Sequence, residues 1–149
     1  MIKYVKKDMF ESKASVYLVT ADENCKMNGS LAKSVKANFP EVETYLGELK
    51  EMADPKLGEM LVSFVSEGNV VITMLTQRAG RSKRTTSYSA LKRALKKLRF
   101  VFEELGVSEV ALPKGMCCGK AGGKWEVVEK LIKDEFEDYP NLTCYICER

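Results

Sequence analysis

The spacing of apolar residues predicts short strands and helices that alternate along the chain. Apolar runs over residues 2–5 and 15–20 indicate two strands, and the second run is apolar enough to be central in a sheet. Apolar side chains over residues 31–39 then recur at helical spacing until Pro40 ends the helix. The first quarter of the chain therefore predicts two strands and a helix.

A second helix and a hairpin are predicted next. The helix runs to Asp54 and Pro55, and its apolar residues are Val42, Tyr45, Leu49 and Met52. Two apolar runs over residues 61–65 and 70–75 flank a glycine-containing turn at residues 67–69. This arrangement is typical of two antiparallel strands joined by a tight turn.

The remaining chain predicts two helices and two strands. The first helix has one apolar face and ends at a glycine, and this face consists of Leu91, Leu95, Leu98, Phe102 and Leu105. A strand over residues 107–112, a glycine-rich loop at 113–123, a helix over 125–136 and a strand over 142–147 follow. Because helices interleave with strands and one hairpin interrupts them, we expect an α/β fold, a three-layer α/β/α sandwich with a mixed central sheet.

Length and composition indicate one soluble domain over residues 1–149. The chain is 45% apolar, which is enough for one sizeable core. No run approaches the roughly 18 apolar residues of a membrane span, and residues 1–7 lack the apolar middle of a signal peptide. We therefore expect no membrane association and a cytoplasmic or otherwise intracellular location.

The cysteines favour reduced thiols over a disulfide framework or a metal site. Their number, five, is odd, and the chain contains no histidine. Cys144 and Cys147 lie in a predicted strand, where residues three apart point to opposite faces and cannot easily share one ion. We therefore expect no metal and no cofactor.

Positive charge is concentrated in one stretch although the net charge is only +3. Residues 76–99 contain nine Lys or Arg residues and no Asp or Glu. Such a stretch is either a solvated helix face or a local positive field that attracts phosphates.

The glycine-rich loop at residues 113–123 lies between a predicted strand and a predicted helix. Glycines permit close backbone approach, and bare N–H groups beside a helix N-terminus form a cradle for phosphate. The alternative is a plain connection. The loop at residues 21–30 also joins a strand to a helix, so the two loops together could clamp a diphosphate at one sheet edge. Asn28 and Ser30 are alternatively helix caps.

Four segments together resemble the macro domain. They read YVKKDMF at 4–10, CKMNGSLA at 25–32, ALPKGMCCGKAGGKW at 111–125 and LTCY at 142–145. The likeness is to the small single-domain members similar to the terminal ADP-ribose protein glycohydrolases and the yeast ADP-ribose 1″-phosphate phosphatase. It implies a domain that binds ADP-ribose, free or attached to protein.

The resemblance also implies roles for individual residues. Asp8, followed by Met9, matches the aspartate that accepts a hydrogen bond from the adenine amino group; taken alone, Asp8 would be a helix cap. The family's loop around the distal ribose is matched by Asn24, Asn28, Gly29 and Ser30. The loop around the diphosphate is matched by Gly119, Lys120, Ala121, Gly122 and Gly123. Tyr145 would lie near the adenosine, or is a half-buried sheet tyrosine. The basic residues Arg81, Lys83 and Arg84 would approach a terminal phosphate.

Several positions depart from the glycohydrolase pattern. Its lysine falls at Thr76 or Gln77, and its loop aspartate falls at Ala121, so neither a nucleophilic amine nor a proton-transferring carboxylate is present. Asn28 replaces a glycine, and the 113–125 segment is one residue longer. Asn28 and Gln77 are therefore the candidates for orienting a water in hydrolysis of a distal-ribose ester or 1″-phosphate. The other hypotheses are a nucleic-acid-binding module, which would need exposed aromatics beyond Tyr88, and a purely structural domain.

Overall fold

The computed structural model describes residues 1–80, 82 and 84–149, and it confirms the predicted alternation of strands and helices. The strands are β1 Ile2–Val5, β2 Val16–Asp22, β3 Met60–Phe64, β4 Val70–Gln77, β5 Glu109–Pro113 and β6 Thr143–Cys147. The helices are α1 Gly29–Asn38, α2 Glu41–Ala53, α3 Tyr88–Leu105 and α4 Trp125–Phe136. Short 3-10 turns lie at Met9–Glu11, Ser66–Gly68 and Gly119–Ala121.

The six strands form one mixed sheet in the order β1-β6-β5-β2-β4-β3. The first five strands in this order, β1, β6, β5, β2 and β4, pair in parallel with their neighbours. The remaining strand, β3, pairs antiparallel with β4 through the predicted hairpin. Parallel strands need covered faces because their crossovers place helices there. β2 lies inside the sheet and is buried along nearly its whole length, as its apolar run predicts.

Each face of the sheet packs against two helices, which confirms the three-layer architecture. Side chains from α3 and α4 join one hydrophobic cluster, and side chains from α1 and α2 join the other. Cys144 belongs to the first cluster and Cys147 to the second, so the two thiols lie on opposite faces as predicted. None of the described helices combines the length and apolar character that crossing a membrane requires.

The apolar face predicted for α2 is partly wrong. Tyr45 is 38% exposed and Met52 is 85% exposed, whereas Leu46 is buried beside Val42. Val42 and Leu46 are one helical turn apart, and the sheet contacts that stripe while Tyr45 and Met52 lie to one side of it. Leu105, predicted to continue the core face of α3, is likewise 39% exposed at the end of its helix.

Two strand boundaries also differ from the prediction. β2 continues through Asp22, so Ala21 and Asp22 belong to the strand and the following loop is shorter than expected. The pairing of β2 with β4 carries a register shift between Ala21 and Asp22 that brings Asp22 opposite Gln77. The extension places a carboxylate and an amide side by side at the carboxyl ends of two central strands.

Candidate functional site

A cavity of about 1130 Å³ opens at the carboxyl ends of the parallel strands. Its described lining comes from the β1–β2 connection, the ends of β2 and β4, the segment after β4, the start of α1, the loop after β5, and the end of β6 with the residues that follow it. This edge is where open α/β sheets bind ligands. We refer to this cavity as the cleft.

The loop after β5 is held in shape by its glycines. Gly115, Gly119 and Gly122 have positive φ angles of 85°, 63° and 75°. The amide of Gly123 donates to the carbonyl oxygen of Cys117 at 3.0 Å, and a Cβ on Gly123 would collide with that same oxygen. Only glycine therefore fits at position 123 without a shift of the backbone.

This loop offers free backbone donors to the cleft. Cys118 and Gly122 donate to carbonyl oxygens within the loop, and Lys114 donates to Cys147. Within the described chain, the amides of Gly119 and Lys120 have no such acceptor, and both residues line the cleft. Successive N–H groups without acceptors form a concavity that suits phosphate oxygens.

The N-terminus of α1 lines the cleft as well. The helix begins at Gly29, and its N-cap residue Asn28 makes no side-chain capping bond to the described backbone. The first amides of an α-helix have no partner inside the helix, and the helix dipole makes this end positive. Asn28, Gly29 and Ser30 all line the cleft. Because the side chain of Asn28 does not cap the described backbone of α1, its amide group is available to contact a ligand.

Asp22 shapes the turn between β2 and α1. Its Oδ1 accepts the amides of Asn24 at 2.8 Å and Lys26 at 3.1 Å, and Cys25 between them has a φ of 62°. This tight turn leaves Asn24 exposed to solvent, and Asn24 is not among the described residues that line the cleft. The structure thus does not bring Asn24 together with the residues that line the cleft.

Asp8 and Met9 lie at the other end of the cleft, beside β1 and β6. Asp8 is both a cap and a candidate ligand group: its Oδ1 accepts the amide of Phe10 at 2.9 Å, and its Oδ2 lies 2.9 Å from Nε of Arg149. Met9 is buried among the core residues of the α1–α2 face. Arg149 also lines the cleft, and the sequence analysis did not anticipate it.

Tyr145 is placed away from the cleft. It is 8% exposed, packs in the core, and its hydroxyl donates to Glu109 Oε2 at 2.7 Å. That hydrogen bond raises the pKa of Tyr145. Tyr145 instead lines a smaller cavity of about 180 Å³, together with Lys3, Val5 and Ser12. The structure therefore favours the role of a buried sheet tyrosine.

The positions that depart from the glycohydrolase pattern differ in their access to the cleft. Thr76 is 0% exposed, and its Oγ1 lies 3.7 Å from Sγ of Cys117. Gln77 and Ala121 line the cleft, and the carbonyl of Ala121 accepts the amides of Thr85 and Thr86. Of the two candidates for the lysine position, Gln77 is thus the one that can meet a ligand.

The thiols of the loop are poorly suited to nucleophilic chemistry. Burial raises the pKa of Cys117 to about 12 and raises the pKa of Cys118 as well. The thiolate is the reactive form, so both groups are protonated and unreactive at neutral pH.

Positive charge exceeds negative charge around the cleft. Its described lining contains four cationic side chains, Arg78, Lys114, Lys120 and Arg149, and two carboxylates, Asp8 and Asp22. The imbalance favours an anionic ligand. Of the basic residues predicted near a terminal phosphate, Arg84 stacks over Tyr88, with its Cζ 4.5 Å from the centre of the ring. Arg81 and Lys83 lie outside the described residues.

The cleft therefore brings together most of the residues that the sequence singled out. Those that line it are Asp8, Met9, Asn28, Gly29, Ser30, Gln77, Gly119, Lys120 and Ala121. Gly122 and Gly123 support the loop from behind and, within the described chain, do not line the cleft.

The chain has the macrodomain fold. The macrodomain of Mycobacterium tuberculosis DarG matches with a TM-score of 0.87 at 22% identity, over 100% of this chain and 98% of that chain. The macrodomain of Thermus aquaticus DarG matches with a TM-score of 0.85 at 20% identity, over 100% and 99%. Thermosipho africanus DarTG in complex with ADP-ribose matches with a TM-score of 0.81 at 18% identity, over 98% of this chain and 41% of that chain.

No protein-family model and no curated protein matches the sequence. At identities near 20%, the structural likeness establishes the fold and leaves the ligand to be argued from the cleft itself.

Proposed function

We propose that this protein binds ADP-ribose or an ADP-ribose derivative, free or attached to a protein, in the cleft. The observation that carries the proposal is the pair of backbone donor sets at one sheet edge. One set is the N-terminus of α1, and the other is the loop around Gly119 and Lys120. A diphosphate between them would receive hydrogen bonds from both sides, with help from the helix dipole.

The adenine would lie at the Asp8 end of the cleft. An ionised carboxylate is acceptor-only, so it suits the exocyclic amine of adenine and repels the carbonyl that guanine has at the same position. Asp8 lines the cleft and is held in place by Phe10 and Arg149, so its orientation is fixed before a ligand arrives. Such preorganisation reduces the entropic cost of binding.

The order of the strands gives the ligand its direction. Four strand spacings separate β1 from β4, a distance of about 19 Å. The loops after β5 and β2 lie between these two ends. An extended ligand would therefore place its adenine near β1 and β6, its diphosphate over β5 and β2, and its distal ribose near β2 and β4. The similarity to Thermosipho africanus DarTG in complex with ADP-ribose supports ADP-ribose as the ligand.

Hydrolysis of a distal-ribose ester or of a 1″-phosphate is the second candidate function. The supporting observation is that Asn28 and Gln77, whose amide groups can hold a water, both line the cleft. A bound ligand and an oriented water gain rate from proximity even without a strong base. The buried Thr76 and the apolar Ala121 offer no amine or carboxylate, so lysine-dependent glycohydrolase chemistry is not proposed.

Calorimetric titration of the protein with ADP-ribose, AMP and ADP-ribose 1″-phosphate tests the proposal. We expect saturable binding of ADP-ribose that is much tighter than binding of AMP, because AMP lacks the diphosphate and the distal ribose. Chromatography of the same mixtures detects released phosphate or ADP-ribose and decides between binding alone and hydrolysis. Absence of binding to all three compounds would contradict the proposal.

A further inference from the structure

The solvent-facing side of α3 carries a set of cationic side chains. Lys92, Arg93, Lys96 and Lys97 are exposed, and within the described chain none of them forms an ion pair. Arg93 donates a hydrogen bond to the carbonyl oxygen of Leu57 at 3.3 Å. The helical period places these residues on the side of α3 that points away from its buried stripe. We refer to these four residues as the basic face.

The spacing of these charges works against the stability of the helix. Lys92 lies four residues before Lys96, and Arg93 lies four residues before Lys97, so each pair places two positive charges one turn apart. Like charges at this spacing repel each other and destabilise a helix. A helix face that serves only solubility usually alternates positive and negative residues. The repulsion is relieved when an anion lies over the helix, so the pattern indicates an anionic partner.

The basic face lies outside the cleft. None of its residues is among the described residues that line the cleft. The N-cap of α3, Ser87, donates its amide to the carbonyl oxygen of Thr76 near the end of β4, so the helix begins at the cleft edge of the sheet. β5 follows α3 and runs parallel to β2, so α3 leads across the sheet to the opposite edge. A partner of the basic face is therefore an extended anion that differs from the ligand of the cleft.

An exposed aromatic ring continues the basic face. Phe100 is 72% exposed, and it forms one row with Lys92 and Lys96 in steps of about 6 Å along the helix. Glu103 and Glu104 follow on the next turn and limit the positive charge on that side. Cations beside an exposed ring are typical of surfaces that bind single-stranded nucleic acid, because the cations contact phosphates and a base stacks on the ring. The exposed aromatic that a nucleic-acid-binding module needs is therefore present.

We propose that the basic face and Phe100 bind single-stranded nucleic acid. The phosphates contact the four cations, and one base stacks on the ring of Phe100. A single strand suits this surface better than a duplex, because the bases of a duplex are stacked on one another and do not reach a side chain outside the grooves. The inference goes beyond the proposed function, since it uses no residue of the cleft.

Fluorescence anisotropy with a labelled oligodeoxythymidine tests the inference. A strand of about 20 nucleotides is longer than the roughly 4–16 that similar surfaces contact, and it contains no adenine to engage the Asp8 end of the cleft. We expect saturable binding that weakens about fiftyfold between roughly 50 and 200 mM salt, as expected for about four phosphate contacts to a single strand. Saturating ADP-ribose should leave this affinity unchanged.

Variants on the two sides of the sheet separate the basic face from general charge. The double substitution Lys92→Gln and Lys96→Gln should weaken oligonucleotide binding about tenfold and reduce its salt dependence. It should not lower the melting temperature, because it removes a repulsion. Lys33→Gln with Lys36→Gln in α1 is the matched control, since α1 packs on the other face of the sheet and neither lysine is among the described residues that line the cleft. This control should stay within about twofold of the wild type.

The substitution Phe100→Leu tests the stacking contact. Leucine keeps an apolar side chain and the helix but has no ring to stack on a base. We expect about fivefold weaker binding with unchanged salt dependence, because no charge is lost. Polyglutamate of similar length is the matched probe, since it offers negative charge without bases. We expect it to bind more weakly than the oligonucleotide and to be insensitive to Phe100→Leu.

The outcomes are distinct from those that test the cleft. Absence of oligonucleotide binding at low salt, or an equal loss in both double variants, would overturn the inference. Displacement of the oligonucleotide by ADP-ribose would place it in the cleft and would also overturn it. Equally tight binding of polyglutamate, with no effect of Phe100→Leu, would identify an acidic protein as the partner instead. Calorimetry with ADP-ribose tests the proposed function separately, so either can fail while the other holds.

Discussion

The amide of Gly123 donates to the carbonyl oxygen of Cys117, and the same oxygen fills the space that a side chain at position 123 would need. Cys117 is fixed in turn because its carbonyl also accepts the hydroxyl of Thr86 at 2.8 Å. The shape of the loop after β5 therefore depends on the absence of a methyl group at Gly123.

Substitution of Gly123 with alanine tests this dependence. We expect Gly123→Ala to lower the free energy of unfolding by about 1–3 kcal/mol, because the backbone must shift to relieve the collision. ADP-ribose affinity should fall by at least tenfold, since the displaced loop no longer presents the amides of Gly119 and Lys120. Chemical denaturation and calorimetry measure the two effects. Gly47→Ala in α2 is the control, because Gly47 has helical geometry and open space around it, so alanine should be neutral or slightly stabilising.

Asp8 should be required for adenine selectivity. The substitution Asp8→Asn keeps an acceptor for the amide of Phe10 but places an NH₂ group against Arg149 and the adenine amine. We expect the affinity for AMP and ADP-ribose to fall about tenfold and the preference for AMP over GMP to disappear. Competition calorimetry with the two mononucleotides measures this. Glu11→Gln, at an exposed residue of the same 3-10 turn, is the control. Retained selectivity in Asp8→Asn would place the adenine elsewhere.

Replacing Asn28 with glycine should alter the ligand profile without destabilising the protein. Asn28 makes no side-chain capping bond to the described part of α1, and glycine at an N-cap costs only a few tenths of a kcal/mol. We expect the melting temperature to stay within about 2 °C of the wild type, and the ratio of ADP-ribose to ADP-ribose 1″-phosphate affinity to change. An unchanged ratio would remove the case for Asn28 as a ligand group. A drop in melting temperature would indicate a capping role.

Stability should fall as the pH rises above the ordinary thiol pKa of 9.0. Burial raises the pKa of Cys117 and of Cys144 to about 12 in the folded protein, so above pH 9 the unfolded chain loses protons that the native state keeps. Stability then falls with pH, by about 1.4 kcal/mol per pH unit for each such thiol, until the folded pKa is reached. Denaturant titrations at pH 8, 9 and 10 measure the slope.

Cys144→Ala isolates one of these thiols. It lies in the core, away from the described lining of the cleft, so the variant should be less stable at every pH but should lose stability less steeply between pH 9 and 10. An unchanged slope would show that Cys144 keeps its ordinary pKa in the folded protein.

The fold could be predicted from the sequence because its elements have strong local signals. The period of α3, the glycine at its end and the turn of the β3–β4 hairpin each indicate one conformation. The apolar face of α2 was predicted less well. Tyr45 and Met52 fit a helical period, but the position of the sheet decides which side of the helix is buried.

The cleft was predicted where local backbone shape decides the outcome and missed where distant pairing does. Gly119 and Lys120 belong to a loop, and Gly29 to a helix start, that are recognisable from glycine and strand spacing. Arg149 reaches Asp8 because β1 and β6 pair in register, and Asp22 meets Gln77 because of a register shift. Neither pairing leaves a local sequence signal. Of the two roles that the sequence left open for Tyr145, the hydrogen bond of its hydroxyl to Glu109 favours the sheet tyrosine over a contact with the adenosine.

The donor groups that face the proposed diphosphate are main-chain N–H groups. Binding of the diphosphate therefore does not depend on which side chains these residues carry. A peptide N–H is present at every position except proline. Most substitutions along α1 or the loop after β5 therefore keep these hydrogen-bond donors, provided that the glycines keep the backbone conformation. The side chains that could vary selectivity then lie at the two ends of the cleft, at Asp8 and at the ends of β2 and β4. Chains that share about one residue in five with this one keep the same fold, and with it the same course of the main chain.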